Sequence, residues 1–206
     1  MKRALLALLT CVVAATLAPP ARAASIVDEW SGVKVPPPAL KPVTVDPKTT
    51  ALLMLDFMNQ NCGKRPRCLA SIPAVKKLLG EARAKKMTVV YSIIANTTTA
   101  DVIKDVAPVA GEPSVQSGPD KFLRTDLEKI LKDKGITSVI AVGTAADGAV
   151  LYTASGAALR GMNAIVPVDG MSSADAQSDY GAVLVLSKAP LVSAKTTLTK
   201  IDMIKF

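Results

Sequence analysis

Short apolar runs alternate with amphipathic segments along most of the chain. Four runs that are too short for typical helices predict strands buried on both faces, at residues 51–55, 88–94, 139–142 and 164–168. Four segments with apolar positions at helical spacing predict helices over residues 73–86, 124–134, 148–159 and 175–186. Strands and helices in this alternation indicate an α/β fold with a mostly parallel sheet.

Punctuating residues refine the ends of two of these helices. Pro73 suits the first turn of its helix, where a missing N–H group costs nothing. Gly135 follows the second helix and suits a left-handed C-terminal cap. The third helix is rich in alanine and glycine, and we expect it to pack close to the sheet.

The N-terminal part divides into two segments that precede the α/β domain of residues 49–206. Residues 24–48 contain five prolines and predict an extended arm that lies on the domain. Residues 1–23 have the form of a secretory signal, with a basic start, an apolar run over residues 4–17 and an Ala-Arg-Ala site ending at Ala23. A transmembrane anchor is the alternative, but this run is shorter than the ~20 residues that span a bilayer. Lipid attachment at Cys11 is disfavoured because Thr10 is larger than the usual preceding residue.

Cleavage after Ala23 would place the mature protein in the periplasm or outside the cell, without a membrane anchor. It would also lower the formal net charge from +8 to +5, because three basic residues leave with the signal. Seven aromatic residues are too few for a base-stacking surface, so we expect no nucleic-acid partner.

The chain contains no histidine. This excludes Ser-His-Asp and Cys-His catalysis and every metal site that depends on imidazole. Any chemistry must therefore use Asp, Glu, Lys, Cys, Tyr or backbone groups, and we expect neither a metal nor a cofactor.

Cys62 and Cys68 are the two cysteines that remain after cleavage, and in an oxidising compartment the pair favours a disulfide. A nucleophilic thiol or a metal pair is the alternative. The thiol lacks an activating histidine, and the pair lacks nearby co-ligands. A disulfide would hold residues 63–67 as a surface loop.

Candidate site residues lie in three segments between the predicted elements. A parallel sheet binds ligands at the carboxyl ends of its strands, and we expect these segments to lie there. Asp56 ends a fully apolar strand; its burial would disfavour the carboxylate unless a cation faces it. Lys121 precedes a helix. A small-residue turn after the third strand offers backbone N–H groups to an anion or an oxyanion, through Thr144, Ala145, Gly148 and Ala149. The alternatives are a capping aspartate, a surface lysine and a simple tight turn.

Residues 49–199 resemble the isochorismatase-like hydrolase superfamily. The resemblance is carried by Leu55-Asp56, by the Phe122, Thr125 and Leu127 pattern, by the turn leading to Thr153-Ala154, and by residues 168–171. It implies a three-layer α/β/α fold with a mostly parallel, Rossmann-like sheet.

The resemblance also implies a site with departures from the family pattern. Family members commonly hydrolyse amides with an aspartate, a lysine and a nucleophilic cysteine. Asp56 matches the aspartate, but the cysteine position falls on Ala149 and the lysine position on Gln116. Lys121 could replace that lysine only from another backbone position. Asn59, in the segment after Asp56, is a further candidate for the pocket.

One branch of the family, the isochorismatases proper, resembles this chain in having a small residue at the cysteine position. These enzymes cleave a vinyl ether with the aspartate as general acid, which requires no covalent nucleophile. Isochorismate itself is a cytoplasmic compound, so we do not expect it as the substrate of an exported protein.

Three functions are therefore compatible with the sequence. The first is a hydrolase that acts on a small molecule through Asp56 as general acid or base, with Lys121 as electrostatic support. The second is an inactive family member that binds a small acid or amide. The third is a structural or partner-binding domain, with self-association into a homo-oligomer through the arm.

Overall fold

The computed structural model describes residues 25–206, and these fall into two units that divide between Pro36 and Pro37. The predicted signal segment, residues 1–23, lies outside the described residues. The first unit contains helix α1 (Ile26–Glu29) and a 3₁₀ turn (Trp30–Gly32), so this part of the expected extended arm is helical. The backbone N–H of Ser25 donates to the Asp28 carboxylate at 2.9 Å, which satisfies a donor at the helix start.

The second unit is built on a parallel sheet. Its strands are β1 (Val43–Thr44), β2 (Thr50–Leu55), β3 (Thr88–Ile93), β4 (Ser114–Gln116), β5 (Ser138–Thr144), β6 (Asn163–Pro167), β7 (Met171–Ser172), β8 (Thr196–Thr199) and β9 (Ile204–Lys205). The main sheet has the order β4-β3-β2-β5-β6-β8, and β7 pairs with the end of β5. Strands β1 and β9 form a separate parallel pair. All pairs of the main sheet are parallel, as the apolar runs predicted.

Helices cover both faces of the main sheet. They are α2 (Pro66–Ala84), α3 (Leu127–Asp133), α4 (Leu151–Leu159) and α5 (Ala176–Lys188). Side chains of β2 alternate between two cores: Leu53 and Leu55 pack with α3, α4 and α5, while Leu52 and Met54 pack with α2. The arrangement confirms the three-layer α/β/α fold.

Three predicted helix starts differ from the structure by at least three residues. Helix α3 begins at Leu127 rather than at Arg124, whose φ of 57° is left-handed and does not fit a right-handed helix. Helix α2 begins at Pro66, seven residues before Pro73, because Cys68 and Ile72 already face the core. Pro73 then lies inside the helix, where it removes only one backbone hydrogen bond. A π-helical turn (Ala146–Val150) precedes α4, which therefore begins at Leu151 rather than Gly148.

The strand order creates a crevice beside β2. The chain runs from β2 to β3 and β4 on one side, then returns to place β5, β6 and β8 on the other. Ligands of open α/β sheets bind where the order reverses, outside the carboxyl ends of the strands. The ends of β2 and β5 therefore mark the expected site. Over residues 25–206, none of the helices combines the length and apolar character that crossing a bilayer requires.

Candidate active site

Asp56 lies immediately after β2 and is only 5% exposed. Its φ of 54° is left-handed, a conformation that aspartate tolerates better than most residues. Ser92, at the corresponding end of β3, donates its hydroxyl to Asp56 Oδ1 at 2.7 Å, and Lys121 Nζ donates to Oδ2 at 2.7 Å. Both carboxylate oxygens therefore accept hydrogen bonds from buried donors.

Lys121 is almost completely buried, with 1% exposure, and its ammonium has three oxygen partners. Besides Asp56, Nζ donates to the backbone carbonyls of Gly118 at 2.8 Å and Ser117 at 3.3 Å. An ammonium has three N–H donors, so these contacts account for all of them. The lysine can thus support the charge on Asp56, but it has no donor left for a ligand.

Lys121, and not Gln116, is the predicted residue whose side chain donates to Asp56. Lys121 reaches it from the turn before α3, where its own backbone N–H donates to Thr153 Oγ1 at 3.2 Å. Gln116 instead donates its side-chain amide to the Ile94 carbonyl at 2.9 Å. It lines the same cavity without meeting Asp56.

The turn after β5 forms the second wall of the site. Gly143 pairs with Leu55 so closely that a Cβ atom there would lie 2.1 Å from the Leu55 carbonyl oxygen. The Thr144–Ala145 peptide is cis, and the π-helical turn follows with Ala149 4% exposed. The close approach of the two strands brings this turn beside Asp56.

A cavity of about 540 Å³ opens between these two strand ends. Every predicted pocket residue except Asn59 lines this cavity. Residues that the sequence did not indicate, among them Asn61 and Arg65, line it as well. The full lining is Asp56, Asn61, Arg65, Ile94, Ala95, Gln116, Ser117, Gly118, Pro119, Lys121, Thr144, Ala145, Gly148 and Ala149. Asn59 is exposed and lines a different depression beside Thr99. Its backbone N–H donates to the Asp101 carbonyl at 2.9 Å.

The predicted disulfide between Cys62 and Cys68 is present, and both cysteines are fully buried. It closes the loop that carries Arg65 to the cavity. Arg65 Nη1 donates to Thr144 Oγ1 at 2.9 Å, so the loop contacts the turn after β5 directly. The disulfide also removes both thiols as nucleophiles.

Three charged side chains line the cavity, namely Asp56, Lys121 and Arg65. The first two form an ion pair, and Arg65 adds a further positive charge. Among residues 25–206, no group of three or more Cys, Asp or Glu side chains is arranged to hold a metal ion.

The sequence profile of the isochorismatase domain matches residues 50–196, the region that contains this cavity. The chain belongs to the isochorismatase domain family. None of the curated proteins compared with it matches significantly.

Solved structures with the isochorismatase-like fold are similar to this chain. An isochorismatase-like hydrolase from Alkaliphilus metalliredigens has a TM-score of 0.68 and 23% identity, covering 76% of this chain and 96% of its own. An N-carbamoylsarcosine amidase from Thermoplasma acidophilum has a TM-score of 0.64 and 22% identity, covering 75% of this chain and 97% of its own. An isochorismatase from Pseudomonas putida KT2440 has a TM-score of 0.69 and 16% identity, covering 85% of this chain and 96% of its own. At these identities the similarity shows the fold shared by the isochorismatase-like proteins.

Proposed function

We propose that the protein is an exported hydrolase of the isochorismatase family that acts on a small molecule through Asp56, without a covalent nucleophile. The observation that carries this proposal is the buried Asp56–Lys121 ion pair at the floor of the cavity. A buried ion pair is a poor way to stabilise a fold, because desolvation offsets most of the attraction. Its place beside a cavity suits it to chemistry.

The contacts of Asp56 favour a role as general base. Ser92 and Lys121 each donate to one carboxylate oxygen, which leaves lone pairs on both oxygens for a water molecule. Asp56 would take a proton from this water while its oxygen bonds to the carbonyl carbon of an ester or amide. The protonated Asp56 then returns that proton to the departing alcohol or amine, so one water is consumed and the residue is regenerated.

The turn after β5 would stabilise the oxyanion of this reaction. Ala145, Gly148 and Ala149 line the cavity. The Gly148 N–H already donates to the Ala145 carbonyl at 3.1 Å, so the Ala149 N–H, near the start of the helical segment, is the candidate donor. Donors fixed before the reaction stabilise the developing charge without reorganising. Lys121 would act as a positioning residue, since it holds the Asp56 carboxylate and has no donor left for the substrate.

Ala149 supports a route that needs no thiol. In the family resemblance this position corresponds to the nucleophilic cysteine, and a methyl group cannot attack a carbonyl. The same observation favours a second candidate function, in which the cavity binds a small acid or amide without turnover. The two functions differ only in whether Asp56 activates water.

A panel of small esters, amides and vinyl ethers tests the first function. We expect turnover by the native protein and a loss of at least about 100-fold in Asp56→Asn, since a general base contributes roughly 10²–10⁴. Asp105→Asn is the matched control, because Asp105 forms an exposed ion pair with Lys76 outside the cavity. Activity that survives Asp56→Asn would refute the role of Asp56. Binding of panel members, detected as a thermal shift without turnover, would favour the second function.

Ala149→Cys tests whether the turn and Asp56 meet at one point. A thiol placed beside the Asp56–Lys121 pair should be alkylated by iodoacetamide faster than an ordinary exposed thiol. Ala100→Cys provides that reference, because Ala100 is exposed and lines another depression. A slower reaction at position 149 than at position 100 would contradict the proposed convergence.

Export is part of the proposal, supported by the signal-like sequence of residues 1–23. Expression of the full chain in a bacterial host should yield a periplasmic protein whose first residue is Ala24. Recovery of a protein that retains Met1, in the cytoplasm, would exclude export.

A further inference from the structure

Arg65 is the one cavity residue whose charge is not matched by a neighbour. Its guanidinium forms none of the ion pairs present among residues 25–206. Its side-chain hydrogen bond goes to a neutral hydroxyl, Thr144 Oγ1. Because Asp56 and Lys121 neutralise each other, Arg65 leaves the cavity with an excess positive charge.

A second polar residue of the cavity, Asn61, is also suited to an anion. Asn61 lines the cavity, and its side-chain oxygen already accepts from the backbone N–H groups of Met58 at 3.2 Å and Cys62 at 2.6 Å. What remains of Asn61 for a ligand is its NH₂ group, which is a donor. A guanidinium has five N–H donors in a planar fork, and Thr144 uses one of them. The remaining donors match the two oxygens of a carboxylate.

The loop that carries Arg65 is held at several points. The Cys62–Cys68 disulfide closes it, and the Arg65 backbone N–H donates to the Cys62 carbonyl at 2.9 Å. Arg67 forms an ion pair with Asp179 on α5. The position of Arg65 is therefore fixed before a ligand arrives, which reduces the entropy lost on binding.

We propose that Arg65 is a specificity-determining residue that binds the carboxylate of a small anionic substrate, and that the Cys62–Cys68 disulfide holds it in place. This inference rests on the proposed function for the identity of the cavity as a substrate site. The carboxylate is a non-reacting group of the substrate. It would orient the ester or amide toward Asp56 from the opposite wall of the cavity.

The experiment is a binding measurement on the full mature protein, so its outcome does not depend on turnover. Benzoate and benzamide serve as probes because they have nearly the same shape and differ in charge. Calorimetric titration at fixed ionic strength should show tighter binding of benzoate. Arg65→Gln should weaken the binding of benzoate at least about tenfold, as expected for a hydrogen-bonded charge pair. The same variant should change the affinity for benzamide less than about twofold.

Lys64→Gln is the matched control. Lys64 lies in the same loop, is exposed and carries the same charge, but it does not line the cavity. It should leave the benzoate preference unchanged. A preference lost equally in Lys64→Gln and Arg65→Gln would mean that only general electrostatics act, and would overturn the proposal. Equal affinity of the native protein for the two probes, or no binding of benzoate, would also overturn it.

Cys62→Ala/Cys68→Ala tests the contribution of the disulfide to Arg65. At a temperature where circular dichroism shows the variant folded, it should bind benzoate several-fold more weakly and benzamide as before. Native benzoate affinity in this variant would overturn the role of the disulfide. If these binding results hold while Asp56→Asn leaves hydrolysis unaffected, the proposed catalytic role fails and the assignment of Arg65 stands.

Discussion

Removing the charge of Lys121 should destabilise the protein strongly. In Lys121→Met the side chain keeps a similar length, but the Asp56 carboxylate, 5% exposed, retains only its bond from Ser92. Breaking a buried ion pair from one side costs roughly 3–5 kcal/mol, because the remaining charge is uncompensated. The Gly118 and Ser117 carbonyls also lose their partner. For a chain of this size the melting temperature should fall by roughly 6–20 °C.

The opposite single change should cost less. In Asp56→Asn the ammonium of Lys121 keeps its two backbone carbonyls, and the asparagine oxygen can still accept from Nζ. The double variant Asp56→Asn/Lys121→Met contains no unpaired charge. It should therefore be more stable than the sum of the two single effects predicts, with a coupling of roughly 1–3 kcal/mol.

Urea unfolding, monitored by circular dichroism, gives the free energy of unfolding of all four proteins in one double-mutant cycle. We expect the native protein to be the most stable, followed by Asp56→Asn and then by Lys121→Met. The free energy of unfolding of the double variant should exceed the value obtained by adding the two single effects. If the free energy of unfolding of Lys121→Met is within about 1 kcal/mol of the native value, or the two changes add to within about 0.5 kcal/mol, Asp56 and Lys121 do not form a buried ion pair whose charges compensate each other.

Three further predictions concern other parts of the fold. Gly143→Ala should prevent stable folding, because its Cβ would overlap the Leu55 carbonyl. Gly181 lies inside α5 with open space around it, so Gly181→Ala should stabilise the protein by about 0.5–1 kcal/mol. Thermal melting of the two variants tests both expectations. Loss of the Cys62–Cys68 bond should lower the free energy of unfolding by about 2 kcal/mol, because the loop that it closes is short. Rapid labelling of both thiols in the unreduced native protein would show that the bond is absent. Burial raises the pKa of the Tyr91 hydroxyl well above its usual range, so the unfolded chain releases this proton first and stability should fall as pH rises above about 10. Tyr91→Phe should show a shallower decline of the urea midpoint between about pH 9.5 and 11, and equal slopes would contradict this assignment.

The fold was predictable where periodicity and burial agree. Strand β2 is buried at all six positions, and its continuous apolar run identifies it from sequence. Strand β4 was missed because Ser114 and Gln116 are exposed, so its pairing with β3 depends on the neighbouring strand rather than on its own pattern. The start of α2 was missed because Arg65 is not a typical capping residue.

The site was predictable in part. Asp56 followed from the end of an apolar strand, but the contact between Lys121 and Asp56 depends on an irregular turn that has no sequence period. Arg65 was missed because its loop has the composition of a surface loop. Its side-chain hydrogen bond is with Thr144, 79 residues further along the chain, and tertiary packing alone decides it. The paired cysteines on either side of Arg65 were the available signal.

The pairing of β1 with β9 affects the order in which this protein can complete its fold. Val43 aligns with Ile204 and Thr44 with Lys205, and the Lys41 N–H donates to the Leu198 carbonyl at 2.9 Å. A ribosome adds residues from the N-terminal end at about 5–20 per second, so the partners of Val43 and Thr44 are synthesised after every other strand of residues 25–206. The earliest strand of the domain must therefore wait, unpaired, until residues 204 and 205 have been synthesised, and the native hydrogen bonds of β1 form only after the rest of the sheet is available.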